Sequence, residues 1–179
     1  MTLHPLADLS VLDGFKGTAF PGGYPSYMRS FYSPVDDVHG VLKTLLHGAS
    51  KSLVISMYGF ADEDLAKIVK TKLELDHCHV QLTLDATQAA GAHEKAILAE
   101  VDYPASSIAI GHSEHGLIMH QKAIVIDNVI LITGSTNWST AAETKQDNDL
   151  HVIADPYVAA EARARIDAIH SNMLQKAKK

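Results

Sequence analysis

His120-Gln121-Lys122-Ala123-Ile124-Val125-Ile126-Asp127-Asn128, then Val129–Thr133, then Gly134-Ser135-Thr136-Asn137, is the stretch on which the reading of this chain turns. Apolar runs on either side of Asp127-Asn128 predict two strands, Leu117–Ile126 and Val129–Thr133. The pair between them predicts a tight turn, because Asp and Asn tolerate the positive φ that hairpin turns need. Side chains alternate faces along a strand, so His120 and Lys122 point one way and Gln121 and Ala123 the other. The hairpin returns the Gly134–Asn137 loop to the His120 end, where Gly134 permits a sharp turn and close backbone approach. An imidazole, an ammonium, the Ser135 hydroxyl and the Asn137 amide then surround one small space. Such a set suits a phosphoryl group: Lys122 and Asn137 hold non-bridging oxygens while His120 attacks phosphorus. Singly, each residue has a plainer reading. A lone histidine on a strand is more often structural, Asp127 serves as a turn residue, and Gly-Ser-x-Asn is an ordinary loop composition.

Upstream, Asp36 or Asp37 predicts the cap of a helix whose Val38, Val41, Leu42, Leu45 and Leu46 share one face, with Gly48 at its end. Ser52–Met57 reads as a buried strand, Asp62–Leu73 as a helix, and His79–Leu84 as a strand by its alternation. Ala92–Val101 reads as a third helix and Ser106–Ile110 as a third strand. This alternation implies an α/β fold with a mixed, mostly parallel sheet and helices on both faces. Downstream come a short helix near Trp138–Lys145, a strand over Leu150–Ala154, and a long terminal helix opened by Asp155-Pro156. The proline- and glycine-rich residues 1–33 show no sustained period and read as an irregular arm or a partly disordered tail.

At 179 residues the chain fits one domain, divided here into an irregular N-terminal arm, 1–30, and a catalytic domain, 31–179. The single cysteine, Cys78, excludes an internal disulfide and a cysteine-built zinc site. No apolar run approaches membrane-spanning length, and the first residues lack a basic start and apolar stretch, so the expected location is cytoplasmic with no stable membrane association. The net charge of −6 argues against tight, sequence-independent coating of nucleic acid while leaving room for a local basic cleft.

The spacing His-x-Lys, four residues, Asp, six residues, Gly-Ser-x-Asn resembles the signature of the phospholipase D superfamily, with all six positions present. The resemblance extends over residues 31–176. Tyr32–Pro34, Met57–Phe60 and the run Asn137–Lys145 are similar to small bacterial endonucleases of that superfamily. It implies a phosphodiesterase, most simply a nuclease for DNA or RNA, with His120, Lys122, Asn137, Ser135 and Asp127 in the catalytic set and Gly134 and Tyr58 binding substrate. It further implies a covalent phosphohistidine, no metal and no cofactor, and a homodimer in which two chains each give one histidine, since a nucleophile without an acid cannot expel an alkoxide. His112 and His115 are the alternative source of that acid. Such nucleases carry Glu then Asn after the signature; here the pair is Asn148-Asp149, which leaves Asp149, Asp147 and Glu143 as candidates to orient His120. The other readings are a lipid phosphodiesterase, disfavoured by the short chain and the lack of a basic amphipathic stretch, and a catalytically idle binding module.

Overall fold

Asp37 starts the first helix. Its carboxylate accepts from Gly40 N, and Val38, Val41, Leu42, Leu45 and Leu46 of α1 (Val38–Gly48) are all buried. Residues 8–74, 77–91, 104 and 107–178 are described in the computed structural model. Strand β2 (Ser52–Met57) is buried along its whole length, as the continuous apolar run requires of a central strand. Helix α2 (Glu63–Glu74) crosses from it to β3 (His79–Asp85), and β3 pairs parallel with both β2 and β4 (Ile108–Gly111). A single turn, α3 (Ala86–Ala89), follows β3 and is capped by Asp85. Strands β5 (Lys122–Ile126) and β6 (Ile130–Gly134) form the hairpin, with φ of +52° at Asp127 and +60° at Asn128, the two positive values of a tight hairpin turn. The one-turn α4 (Thr140–Thr144), β7 (Asn148–Ile153) and the long α5 (Pro156–Ala177) complete the chain.

The seven strands run β1-β7-β6-β5-β2-β3-β4, with β1 at Met28–Ser33. α1 and α2 cover one face, with Leu53, Ile55, Leu82, Ile124, Ile132 and Trp138 between. α5 covers the other through Ala159, Ile166 and Met173 against Val54, Val125, Ala109 and Met119. The mixed α/β class with helices on both faces is as expected. Parallel pairing is confined to β2-β3-β4, however. The other four pairings are antiparallel; of these, β5–β6 is a hairpin whose connection is too short for a crossover.

Three other expectations differ. Met28–Ser33, inside the segment read as irregular, is an edge strand antiparallel to β7. Its Arg29, Ser30 and Ser33 are buried through hydrogen bonds rather than by being apolar, so the sequence shows no period. Ahead of it a 3-10 turn, Leu9–Phe15, sends Leu9 and Leu12 into the core. Lys16 clips this region down, 2.7 Å from Asp36 and 4.8 Å from the Tyr32 ring centre. Secondly, β5 begins at Lys122, not Leu117. Met119 N is held at 2.6 Å by the Asp85 carboxylate, so a side chain takes the place of a ladder bond at Met119. Thirdly, β7 begins at Asn148, where β1 supplies the partner. The helix expected over Ala92–Val101 lies outside the described residues. No described helix is long and apolar enough to cross a membrane.

Candidate active site

His120 sits two residues before the first residue of β5, at the end of the sheet where β2 and β3 finish. Two bonds fix its backbone: Met119 N to Asp85 and Tyr58 N to Gln121 O, the latter at 2.9 Å. Ser56 Oγ donates to the Gln121 side chain at 3.0 Å. The His120 side chain is exposed. Its ring lies edge-on to Tyr58, with centroids 4.6 Å apart. Among the described residues neither ring nitrogen of His120 has a hydrogen-bond partner.

Lys122 is buried. Its Nζ donates to His120 O at 2.9 Å and lies 4.8 Å from the Tyr58 ring centre. Burial lowers the pKa of this amine, since taking a charge out of water disfavours it. Tyr58 therefore neighbours both the imidazole and the ammonium, and its own hydroxyl accepts from Gln88 Nε2 at 3.2 Å.

The hairpin register, Ala123 opposite Thr133, sets Gly134 across from Lys122. Gly134 has φ +153°, and a Cβ there would stand 2.2 Å from Asp149 O. Only glycine allows the loop to pass so close to β7. Ser135 is pinned by that strand: its N–H donates to Asp149 Oδ1 at 3.0 Å, its hydroxyl donates to Asn148 Oδ1 at 3.0 Å, and the same oxygen accepts from Asp149 N. Asn137 Oδ1 accepts from Gly59 N at 3.1 Å, which leaves the Nδ2 hydrogens to donate elsewhere. Gly59 follows Tyr58, so contacts link His120, Tyr58, Lys122, Gly59 and Asn137, and the hairpin register brings Gly134 and Ser135 beside Lys122.

Asp127 stands apart. It closes the hairpin at the far end of β5, whose five residues span about 16 Å at roughly 3.3 Å each. Its carboxylate accepts from Ser50 N, Ser50 Oγ, Lys51 N and Ser52 N, at 2.7–2.9 Å.

Among the described residues, none of the three candidate orienting acids makes a hydrogen bond or ion pair with the His120 ring. Asp149 Oδ2 is 2.9 Å from Nε2 of a different histidine, His151, whose Nδ1 meets Ser30 Oγ at 2.9 Å. Hydrogen bonds from Ser135 lower the Asp149 pKa, with His151 adding to the effect against some burial. Asp147 is an exposed residue between α4 and β7. Glu143, on α4, is buried and bonds His39 Nδ1 at 2.5 Å. Burial pushes its carboxyl up to about 7, against the pull of the His39 bond.

His39, Asp62 and Glu143 bring donor atoms within 4.8 Å of one another, the convergence a metal would need. Two ligands of one first-row ion, each bound at about 2.1 Å, sit roughly 3 Å apart. At 2.5 Å the His39–Glu143 pair is closer than that, a hydrogen-bond separation. Neither His39 nor Asp62 carries a local sequence signal. Asn148, which holds Ser135, stands out in the sequence only by its departure from the Glu-Asn pair.

Residues 42–170 match the family model described as "Cardiolipin synthase, PLD-like domain". A mitochondrial cardiolipin hydrolase of Chlamydomonas reinhardtii is 27% identical over 127 residues, which are 69% of this chain and 53% of that protein. The chain thus spans about half the length of that curated relative. The phospholipase D family member Nuc from Salmonella typhimurium superposes with a TM-score of 0.71 at 25% identity, over 81% of this chain and 94% of that one. NucT from Helicobacter pylori shares the fold, with a TM-score of 0.71 at 24% identity over 81% and 96% of the two chains. With a family model running from α1 into α5, and both halves of the His-x-Lys and Gly-Ser-x-Asn signature meeting on one sheet end, the chain belongs to the phospholipase D superfamily of phosphodiesterases.

Proposed function

We propose that this chain is a metal-independent nuclease that cleaves phosphodiesters through a covalent intermediate on His120, in a site completed by a second copy. The observation that carries the reading is the pairing of an exposed imidazole, free at both nitrogens among the described residues, with a buried ammonium two residues on. Lys122 and the Nδ2 of Asn137 hold the non-bridging oxygens, and the field of the partly desolvated ammonium is stronger than it would be in water. A ring nitrogen of His120 attacks phosphorus, forming a P–N bond as the P–O bond to the leaving group breaks. The leaving alkoxide takes a proton from the partner's His120. That histidine then removes a proton from water, whose oxygen attacks phosphorus and returns the electron pair of the P–N bond to the first imidazole. Asp127 acts here only through the hairpin it closes.

Likeness to small bacterial endonucleases across 31–176, and a fold that covers 94% of Nuc, support nucleic acid as substrate. A second reading, lipid phosphodiester cleavage, draws on the cardiolipin hydrolase relative and on Leu117 and Ile118, which are 71% and 49% exposed two to three residues from His120. The deciding experiment incubates the protein in excess EDTA with plasmid, single-stranded oligonucleotide and cardiolipin vesicles, beside His120→Ala. Cleavage of nucleic acid by the natural protein alone is expected. Cleavage of cardiolipin alone selects the lipid reading, and activity that EDTA abolishes and Mg²⁺ restores rejects metal independence.

A further inference from the structure

His39 stands in the first turn of α1, and its imidazole meets carboxylates from two other segments. Nδ1 is 2.5 Å from Glu143 Oε2 and 3.6 Å from Asp62 Oδ2. Nε2 faces the exposed Asp64 at 4.0 Å, and Lys43 approaches the same Asp64 at 3.9 Å. Glu143 is 1% exposed and its Oε1 has no hydrogen-bond partner. A buried carboxylate so sparsely satisfied is costly, and nothing in the chemistry at His120 uses it.

The two segments that supply these acids also build the anion pocket. Asp62 ends the 58–62 segment, and its Oδ1 caps α2 through Leu65 N at 2.8 Å. Glu143 hangs from the 135–144 segment, whose helix is capped by Ser139. The segments run side by side: Trp138 N donates to Gly59 O at 2.9 Å and Ala61 N to Trp138 O at 2.7 Å, with Phe60 and Trp138 rings 5.2 Å apart. The Asn137–Gly59 contact lies at one end of this bridge. The His39 cluster lies at the other.

We propose that His39 is a positioning residue: by bonding Glu143 and drawing Asp62, it clamps the two segments and so sets Asn137 against Gly59 with its Nδ2 turned to the substrate phosphate. Without the imidazole, the Glu143 and Asp62 carboxyl groups lose the donor they share across the bridge. The consequence for turnover rests on the phosphodiesterase reading; the clamp itself does not.

The test compares natural protein with His39→Leu, Glu143→Gln and His39→Arg, the last restoring a forked cation that reaches both acids. Two quantities are read: hydrogen exchange of the Gly59 amide by NMR, and kcat and KM on bis(p-nitrophenyl) phosphate. In His39→Leu the Gly59 amide should exchange at least tenfold faster while β2 amides hold their rates. KM should rise about fivefold or more with kcat within twofold. His39→Arg should bring both readouts back within twofold, and Glu143→Gln should give a smaller change in the same direction. Unchanged Gly59 exchange in His39→Leu and Glu143→Gln would overturn the proposal. So would loss of protection spread evenly through β2 and β5. Exchange needs no substrate, so a protein that cleaves no phosphodiester refutes the functional reading while the clamp is still judged by its own result.

Discussion

Asp127 and His120, members of one signature seven residues apart, stand at opposite ends of β5 with different partners: the Asp127 carboxylate holds Ser50, Lys51 and Ser52, and the His120 ring lies against Tyr58. Its four accepted bonds, three from backbone N–H groups, lock the entry of β2 to the β5–β6 turn. Hydrogen bonds to a charged acceptor contribute about 1.5–3 kcal/mol each, and they act here as a group. Asp127→Ala should therefore cost about 2–4 kcal/mol in urea unfolding, while kcat/KM per folded molecule stays within about twofold. A stable variant that has lost turnover would return Asp127 to the chemistry.

Lys122 should show the reverse pattern. Its ammonium is buried beside Tyr58 and, among the described residues, donates to His120 O alone, so its charge is costly in the folded state. Lys122→Met, of similar volume, should leave thermal stability unchanged or raise it. The same variant should lose about 10²–10³ in turnover, the usual effect of removing one donor to developing charge. A fall in stability with turnover kept would mean that the amine is structural.

Glu143 gives the stability a pH dependence of known sign. Its folded pKa, about 7, is raised above the ordinary 4.5, chiefly by burial. The folded state thus holds this proton more tightly than the unfolded chain. The contribution is fully present below about pH 4.5 and is lost as pH rises through 7, at most about 3 kcal/mol in all. Asp149, whose pKa is lowered, acts in the opposite sense and only at lower pH; the eleven histidines of the chain are common to both proteins, so it is the comparison with Glu143→Gln that isolates Glu143. Urea midpoints of natural protein should fall relative to Glu143→Gln from about pH 5 to 8; parallel curves would show that this carboxyl does not titrate there.

How far these features could be read in the sequence depends on whether each partner is local. Alternation puts Lys122 and His120 on one face, and two positive-φ residues mark the hairpin, so the meeting of His120, Lys122, Gly134, Ser135 and Asn137 follows from short-range geometry. The α1 cap and its buried face are legible for the same reason. Glu143 is not, because its partner His39 lies 104 residues earlier and neither residue has a local pattern. Asp149 likewise bonds His151 and Ser135, and its place one position after Asn148 tells nothing of either partner. β1 was hidden because Arg29 and Ser30 are buried by their partners, Asp13 and His151, and not by being apolar.

The paired site makes the last prediction. His120 is exposed, the described residues supply neither of its ring nitrogens with a partner, and none of the three candidate acids reaches it. The orienting group and the leaving-group acid are then both expected from a second chain. A two-fold axis near 117–121 would bring two such rings together and cover Leu117 and Ile118. Natural protein mixed with His120→Ala should therefore lose activity faster than the natural fraction falls. With random exchange at equal amounts, about half the dimers carry one histidine and roughly a quarter carry two, so activity should approach a quarter of the natural value. Exchange is confirmed by mass labelling of one population. A fall to one half, proportional to the natural chains present, would show that each chain works with its own residues and would remove the second imidazole from the mechanism.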